Sequence, residues 1–168
     1  MSTVTVDQQG SQVGAQEEEK QYLTFLLGDE YYGVDILKVQ EIKGYMDVTR
    51  IPNTPPYIKG VLNLRGTIVP IVNLRMKFGM EQIDHTAITV IIVVVVQGRV
   101  MGIIVDTVSD VLTIGAKDMK PAPAFGTKVD TSFIDGIGTT NDHLVTFLDI
   151  DRVLSEEEIK QVESVATS

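Results

Sequence analysis

General acid–base chemistry at neutral pH would have to run through His85 or His143, the only two imidazoles in the 168-residue chain. Neither stands near a serine in a G-x-S-x-G setting, and the sequence places both on the surface, one in a loop and one at the start of a strand. Cysteine is absent, which removes thiol nucleophiles, disulfides and thiolate metal sites together. Asp106 and Asp110 stand four apart, but one carboxylate pair without an H-x-x-x-H or a spaced aspartate loop is not a metal site. The glycines lie at turns and form no phosphate-binding motif between a strand and a helix. The expectation is a binding module and not an enzyme, with no catalytic residue, no metal and no cofactor.

The residues suited to binding fall in three places. Val39 and Ile42, spaced as on one helix face, and Val108 and Val111 in the second half offer related apolar faces; each also suits a plain core position. If the two faces meet at a seam, they form an apolar groove fit for a helix, rimmed by Glu41 and Asp110. The Arg65-Gly66 pair reads as the turn of a hairpin, with glycine where positive φ is needed and Arg65 projecting from the tip. That arginine is either a solvated turn residue or a hydrogen-bonding clamp at the groove mouth.

The elements that position these residues are mostly strands. Tyr22–Leu27 and Tyr31–Val34 read as a hairpin across Gly28-Asp29, and Asp35 stands where it can cap a short helix running to about Ile42 and stopped by Gly44. Three prolines, Pro52, Pro55 and Pro56, stiffen the connector to the Arg65 hairpin. Within that hairpin Pro70 cannot donate to a ladder, so it predicts an open side there. Asn73 can cap a brief helical turn, Leu74–Phe78, closed by Gly79. Thr86–Val96 and Arg99–Val105 pair across Gln97-Gly98; Ile88–Val96 within them is too short to cross a membrane and reads as a strand buried on both faces. Asp106–Leu112 fits either a short helix or a continued strand, and strands near Phe133–Ile137 and Leu144–Leu148 complete the sheets. Ser155-Glu-Glu-Glu158 has capping-box spacing and opens a last helix through Ile159 and Val162.

Laid over each other, the two halves match. Gly33-Val34, Val39 and Glu41-Ile42 fall on Gly102-Ile103, Val108 and Asp110-Val111. Ile58, Gly60-Val61, Ile68-Val69 and Val72-Asn73-Leu74 fall on Ile134, Gly136-Ile137, Leu144-Val145 and Leu148-Asp149-Ile150. An internal duplication with an offset of roughly 70 to 76 residues implies two similar, strongly curved sheets or small β-barrels packed together. The expected organisation is a tail at residues 1–19, one domain over 20–155 made of two subdomains split near 80–86, and a C-terminal helix and tail over 155–168. A net charge of −9, with no cluster of basic residues, argues against nucleic acid and direct membrane insertion, and the polar N-terminus carries no secretory signal.

The stretch NLRGTIVPIVNLR from Asn63 to Arg75, preceded by Tyr57-Ile-Lys-Gly60, resembles the signature of the CheW family of bacterial chemotaxis coupling proteins. Further similarity lies in Tyr32–Ile42, Val105–Leu112 and Lys120-Pro-Ala-Pro-Ala-Phe125, and the resemblance runs from about residue 20 to 155. It implies a mainly β fold of two SH3-like five-stranded barrels related by duplication, with short helices. The implied function is that of an adaptor linking the cytoplasmic tips of transmembrane chemoreceptors to the regulatory domain of the histidine kinase CheA. By the same resemblance, Val39, Glu41, Ile42, Arg65, Val108 and Val111 are expected in the receptor groove, and Lys120 and Phe125 at the kinase ring interface. The implied location is the cytoplasm, with the membrane reached only through receptor arrays. At Asn73 many family members carry aspartate, and either residue caps a helix. Two other readings are an adaptor of a non-flagellar array and a small-molecule-sensing β-barrel.

Overall fold

Val90–Val96 is β-branched at all seven positions, a composition that disfavours a helix and suits a pleated strand packed on both faces. The fold is built on it. In the computed structural model, which describes residues 19–81, 83–121, 131–140, 143–154, 157, 158 and 160, this run is strand β6. The others are β1 Glu19–Leu27, β2 Glu30–Asp35, β3 Val39–Gly44, β4 Ile58–Leu64, β5 Thr67–Asn73, β7 Arg99–Val105, β8 Thr107–Gly115, β9 Ile134–Thr140 and β10 His143–Leu148. Two short helices, α1 Leu74–Lys77 and α2 Ile150–Val153, follow β5 and β10.

These strands form two five-stranded sheets, ordered β8-β1-β2-β10-β9 and β3-β6-β7-β5-β4. Advancing each label of the first sheet by one repeat generates the second, so the duplication read from the sequence is present in the topology. The split near residues 80–86 separates the repeats but not the sheets. Each sheet takes two strands from one repeat and three from the other, through parallel pairs β2–β10 and β5–β7. Both sheets close on themselves through one bridge: Thr49, beyond β3, pairs with Val61 of β4, and Lys120, beyond β8, pairs with Ile137 of β9. Gly60 and Gly136 stand beside those closures. A Cβ at Gly60, where φ is 150°, would collide with the Thr49 carbonyl, and one at Gly136 would collide with the Met119 side chain.

Alternation along β6 sends its side chains to two cores. Ile92, Val94 and Val96 join Leu23, Phe25, Val34, Val72 and Ile103 in the core shared by the two sheets. Ile91 and Val93 join Val69, Ile71 and Ile104 inside the second sheet, while Tyr22, Ile114, Val145 and Phe147 fill the first. Each such side chain contributes about 1.5–3 kcal/mol by leaving water.

Several expectations need correction. The helix from Asp35 to Ile42 is a single 3₁₀ turn, Ile36–Lys38, followed by strand β3. Asp35 does cap it, its carboxylate accepting from Leu37 N–H at 2.9 Å. The ladder offered by β6 outweighs the local i, i+3 pattern, which arises instead from a bulge at Gln40. Of the two readings open for Asp106–Leu112, the strand holds: it runs into β8. Pro70 lies on an internal strand; its ladder to β7 starts only at Ile71, so no hydrogen bond is forfeited there, and the terminal strand of the hairpin is β4. Ile88 is 62% exposed and precedes the buried strand, which begins at Val90. Ser155 of the expected capping box, Ile159, Val162, and the tail through residue 18 lie outside the described residues.

Candidate functional site

The Arg65-Gly66 turn has positive φ at both residues, 52° and 89°, the twist that matches two antiparallel strands. Asn63 steadies it by accepting from the Gly66 N–H at 2.8 Å. This geometry carries the Arg65 side chain, 76% exposed, across the sheet's closure to β3, where its Nη2 donates to Glu41 Oε1 at 2.7 Å. Lys43 approaches the second Glu41 oxygen at 4.0 Å. An ion pair this exposed adds under about 1 kcal/mol to stability, so its effect is to orient two groups and not to hold the fold.

Val39 and Ile42 share a face, though not a helical one. Val39 faces Val94 and Ile42 faces Ile92, because the bulge at Gln40 lets three residues of β3 span two of β6. The second half repeats the device: Val108 faces Phe25 and Val111 faces Leu23, with the extra residue on β8. Val39 and Val108 pack against the shared core, while Ile42 and Val111 are 44% and 50% exposed. Two terminal strands therefore present matched apolar pairs, each with one anchored and one open residue. Glu41, between Val39 and Ile42, turns to the opposite face and meets Arg65 there. Lys120 is exposed, held by two backbone hydrogen bonds to Ile137, of 2.8 and 2.7 Å; Phe125 lies outside the described residues.

Sequence reasoning missed the groups that lock this surface in place. Thr24, buried in β1, donates its hydroxyl to Asp110 O at 2.8 Å and accepts from Asp110 N–H at 2.9 Å, stitching the β8 bulge. Arg75 on α1 makes a two-point contact with Asp106, 2.7 and 2.6 Å, and the same carboxylate accepts from Gly28 N–H at 2.7 Å. Burial alone would raise the Asp106 carboxyl, but the bonds from Arg75 and Gly28 together outweigh it and hold it below the usual range. On the other side Lys38 meets Asp151 of α2 at 2.8 Å, and Gln97 N–H donates to that carboxylate at 3.0 Å. Partners this far apart leave no spacing signal, and duplication could have pointed only to the places and not to the charges.

His143 is exposed and stacks on Tyr31, but His85 departs from the surface reading. Its ring lies 3.8 Å from that of Tyr45, and its Nε2 is buried without a hydrogen-bond partner among the described residues. Burial first, and then the nearby Lys59, push its pKa down, against the pull of Asp84 and Asp47. No group of three His, Asp or Glu among the described residues is placed to hold a metal. Nor is any described helix long and apolar enough to cross a membrane.

Fold and surface together define a duplicated β scaffold of two five-stranded sheets that exposes paired apolar strands beside an arginine-tipped hairpin. Comparison with known proteins places it further. Residues 21–158 match the CheW-like domain. Chemotaxis protein CheW of Klebsiella aerogenes is 47% identical over 158 residues, covering 94% of this chain and 95% of that protein. Its counterpart in Rhizobium meliloti is 36% identical over 139 residues, covering 83% and 90%. The crystal structure of scaffolding protein TtCheW from Thermoanaerobacter tengcongensis superposes with a TM-score of 0.77 at 32% identity, covering 88% of this chain and 96% of that one. The chain belongs to the CheW family and is a chemotaxis adaptor.

Proposed function

We propose that this protein couples the cytoplasmic tips of chemoreceptors to the regulatory domain of the kinase CheA through two separate surfaces, without catalysis of its own. The receptor surface comprises Val39, Ile42, Val108 and Val111 as apolar contacts, with Arg65 and Glu41 as its polar edge. Lys120 and Phe125 belong to the kinase surface. The observation that carries the receptor assignment is the matched pair of bulged terminal strands: each leaves one apolar residue anchored and one open, which suits burial against an apolar helix face. Arg65, held at 2.7 Å from Glu41, is poised to exchange that partner for a polar group on the receptor. The protein acts in the cytoplasm and reaches the membrane through receptor arrays.

Co-sedimentation with receptor-containing membranes, with and without the kinase, tests this reading. Val111→Asp is expected to lose receptor binding while keeping kinase binding, and Phe125→Ala the reverse. Equal loss of both partners from both variants, at unchanged melting temperature, would remove the division into two surfaces.

A further inference from the structure

The interior of the β8-β1-β2-β10-β9 sheet opens to solvent through a recess of about 290 Å³. It is lined by the apolar Ile114, Ala116 and Met119, by Tyr22, and by the charged Asp135 and Lys20. Tyr22 is only 3% exposed and its ring packs on Phe147 at 4.5 Å. Charge around the recess is mainly negative: Asp35, Asp135 and Asp149 all act on Tyr22. Arg152 is already engaged by Asp149 at 3.0 Å, which leaves Asp35 and Asp135 against the single Lys20.

The internal repeat shows what such a recess can hold. In the other sheet the counterpart of Ile114 is Tyr45, that of Ala116 is Asp47, and that of Asp135 is Lys59. Those three residues are the surroundings of His85, whose ring lies flat on Tyr45 at 3.8 Å with Nε2 buried. One sheet's recess is thus covered by a planar polar ring between Lys59 and Asp47, and among the described residues the other stands open beside Asp135 and Lys20. Inversion of the rim charge from Lys59 to Asp135 selects a positively charged occupant. The chain's own Glu17-Glu18-Glu19 segment, which leads into Lys20, has the wrong sign to fill it.

We propose that the recess formed by Tyr22, Ile114, Met119 and Asp135 is a socket for an arginine side chain presented by a partner protein. The flat guanidinium takes the place that His85 takes in the other sheet, stacks along the apolar wall, and donates to Asp135 and to the Tyr22 hydroxyl. The socket uses none of the residues proposed for the receptor surface, and it borders the proposed kinase surface, where Lys120 follows Met119.

Titration of the full-length chain with acetyl-Gly-Arg-Gly-amide, followed by amide shifts of Ile114, Gly115 and Asp135, tests it. The expected result is saturable shifts confined to those residues, weakened about tenfold or more by Asp135→Asn. The same peptide with citrulline, planar but neutral, should bind about as weakly as the arginine peptide binds Asp135→Asn. Ile114→Tyr with Asp135→Lys, which copies the other sheet's rim, should abolish the shifts, while Arg65→Glu should leave them intact. Equal binding of the citrulline peptide, shifts unaffected by Asp135→Asn, or binding only after removal of residues 1–18 would each overturn the proposal. In the last case the tail itself is the occupant.

Discussion

The two halves place an ion pair at the same point and reverse its sign. In one, the helix after β5 supplies the cation, Arg75, and the β7–β8 junction supplies the anion, Asp106. In the other, the helix after β10 supplies the anion, Asp151, and the β2–β3 junction supplies the cation, Lys38. The carboxylate in each case also takes the N–H of a hairpin turn, from Gly28 or Gln97. Each junction is where the chain leaves one sheet for the other, so both pairs tie the sheets together. Duplication therefore preserved the place and the backbone N–H donor, while the charges were free to invert. Strength was not preserved: the Arg75 and Asp106 side chains are 13% and 20% exposed, against 38% and 35% for Lys38 and Asp151. A two-point guanidinium contact in a drier setting is the stronger of the two.

The largest break in the symmetry is expected at the glycines of the two closures. Gly60→Ala should cost about 3 kcal/mol or more in urea denaturation, because the obstacle is backbone at Thr49; Gly136→Ala should cost less, because Met119 can swing aside and the Lys120 carbonyl, at 2.9 Å, crowds the new Cβ less than the Thr49 carbonyl does. Equal losses would mean that both closures give way alike. Next come the clamps, where Arg75→Ala should lower stability by about 2 kcal/mol and Lys38→Ala by less than about 1 kcal/mol. Asp106 is held below its ordinary pKa, so its stabilisation is complete above about pH 4 and is lost as pH falls through its native value. Arg75→Ala should flatten that acid limb more than Lys38→Ala does.

Thr24→Val should cost about 1–2 kcal/mol, since Asp110 N–H and C=O lose a shared partner, and Val93→Thr at the matching place should bring no compensating gain. His85 gives a smaller, pH-dependent difference. Its native pKa is lowered, so the protein is most stable above about pH 6.5 and loses stability as pH falls through the native pKa. In His85→Phe that step should vanish from a plot of melting temperature against pH, whereas His143→Phe should leave it. The smallest effect on folding belongs to Arg65→Glu, under about 0.5 kcal/mol, with receptor co-sedimentation reduced. A large loss of stability there would contradict a tip that is 76% exposed.

Much of this was legible without coordinates, because the features rest on local chemistry. Paired positive-φ turns announce the Arg65-Gly66 and Gln97-Gly98 hairpins, and Asn73 caps α1 as its side chain dictates, accepting from Met76 N–H, whereas α2 and its Asp149 cap were not read from the sequence. The β-branched run of β6 had to be a buried strand, and the repeat was readable because equivalent positions face equivalent cores. Val39 and Ile42 were rightly paired but for the wrong reason: three-residue spacing means a helix locally, and only the ladder to β6 turns it into a bulge. The sequence by itself determined most of the strands, the duplication and the exposed arginine. The exchange of strands between repeats, the clamps, the meeting of Arg65 with Glu41 and the difference between a covered and an open recess were decided by tertiary structure alone. Each depends on groups tens of residues apart, whose contact no local pattern encodes.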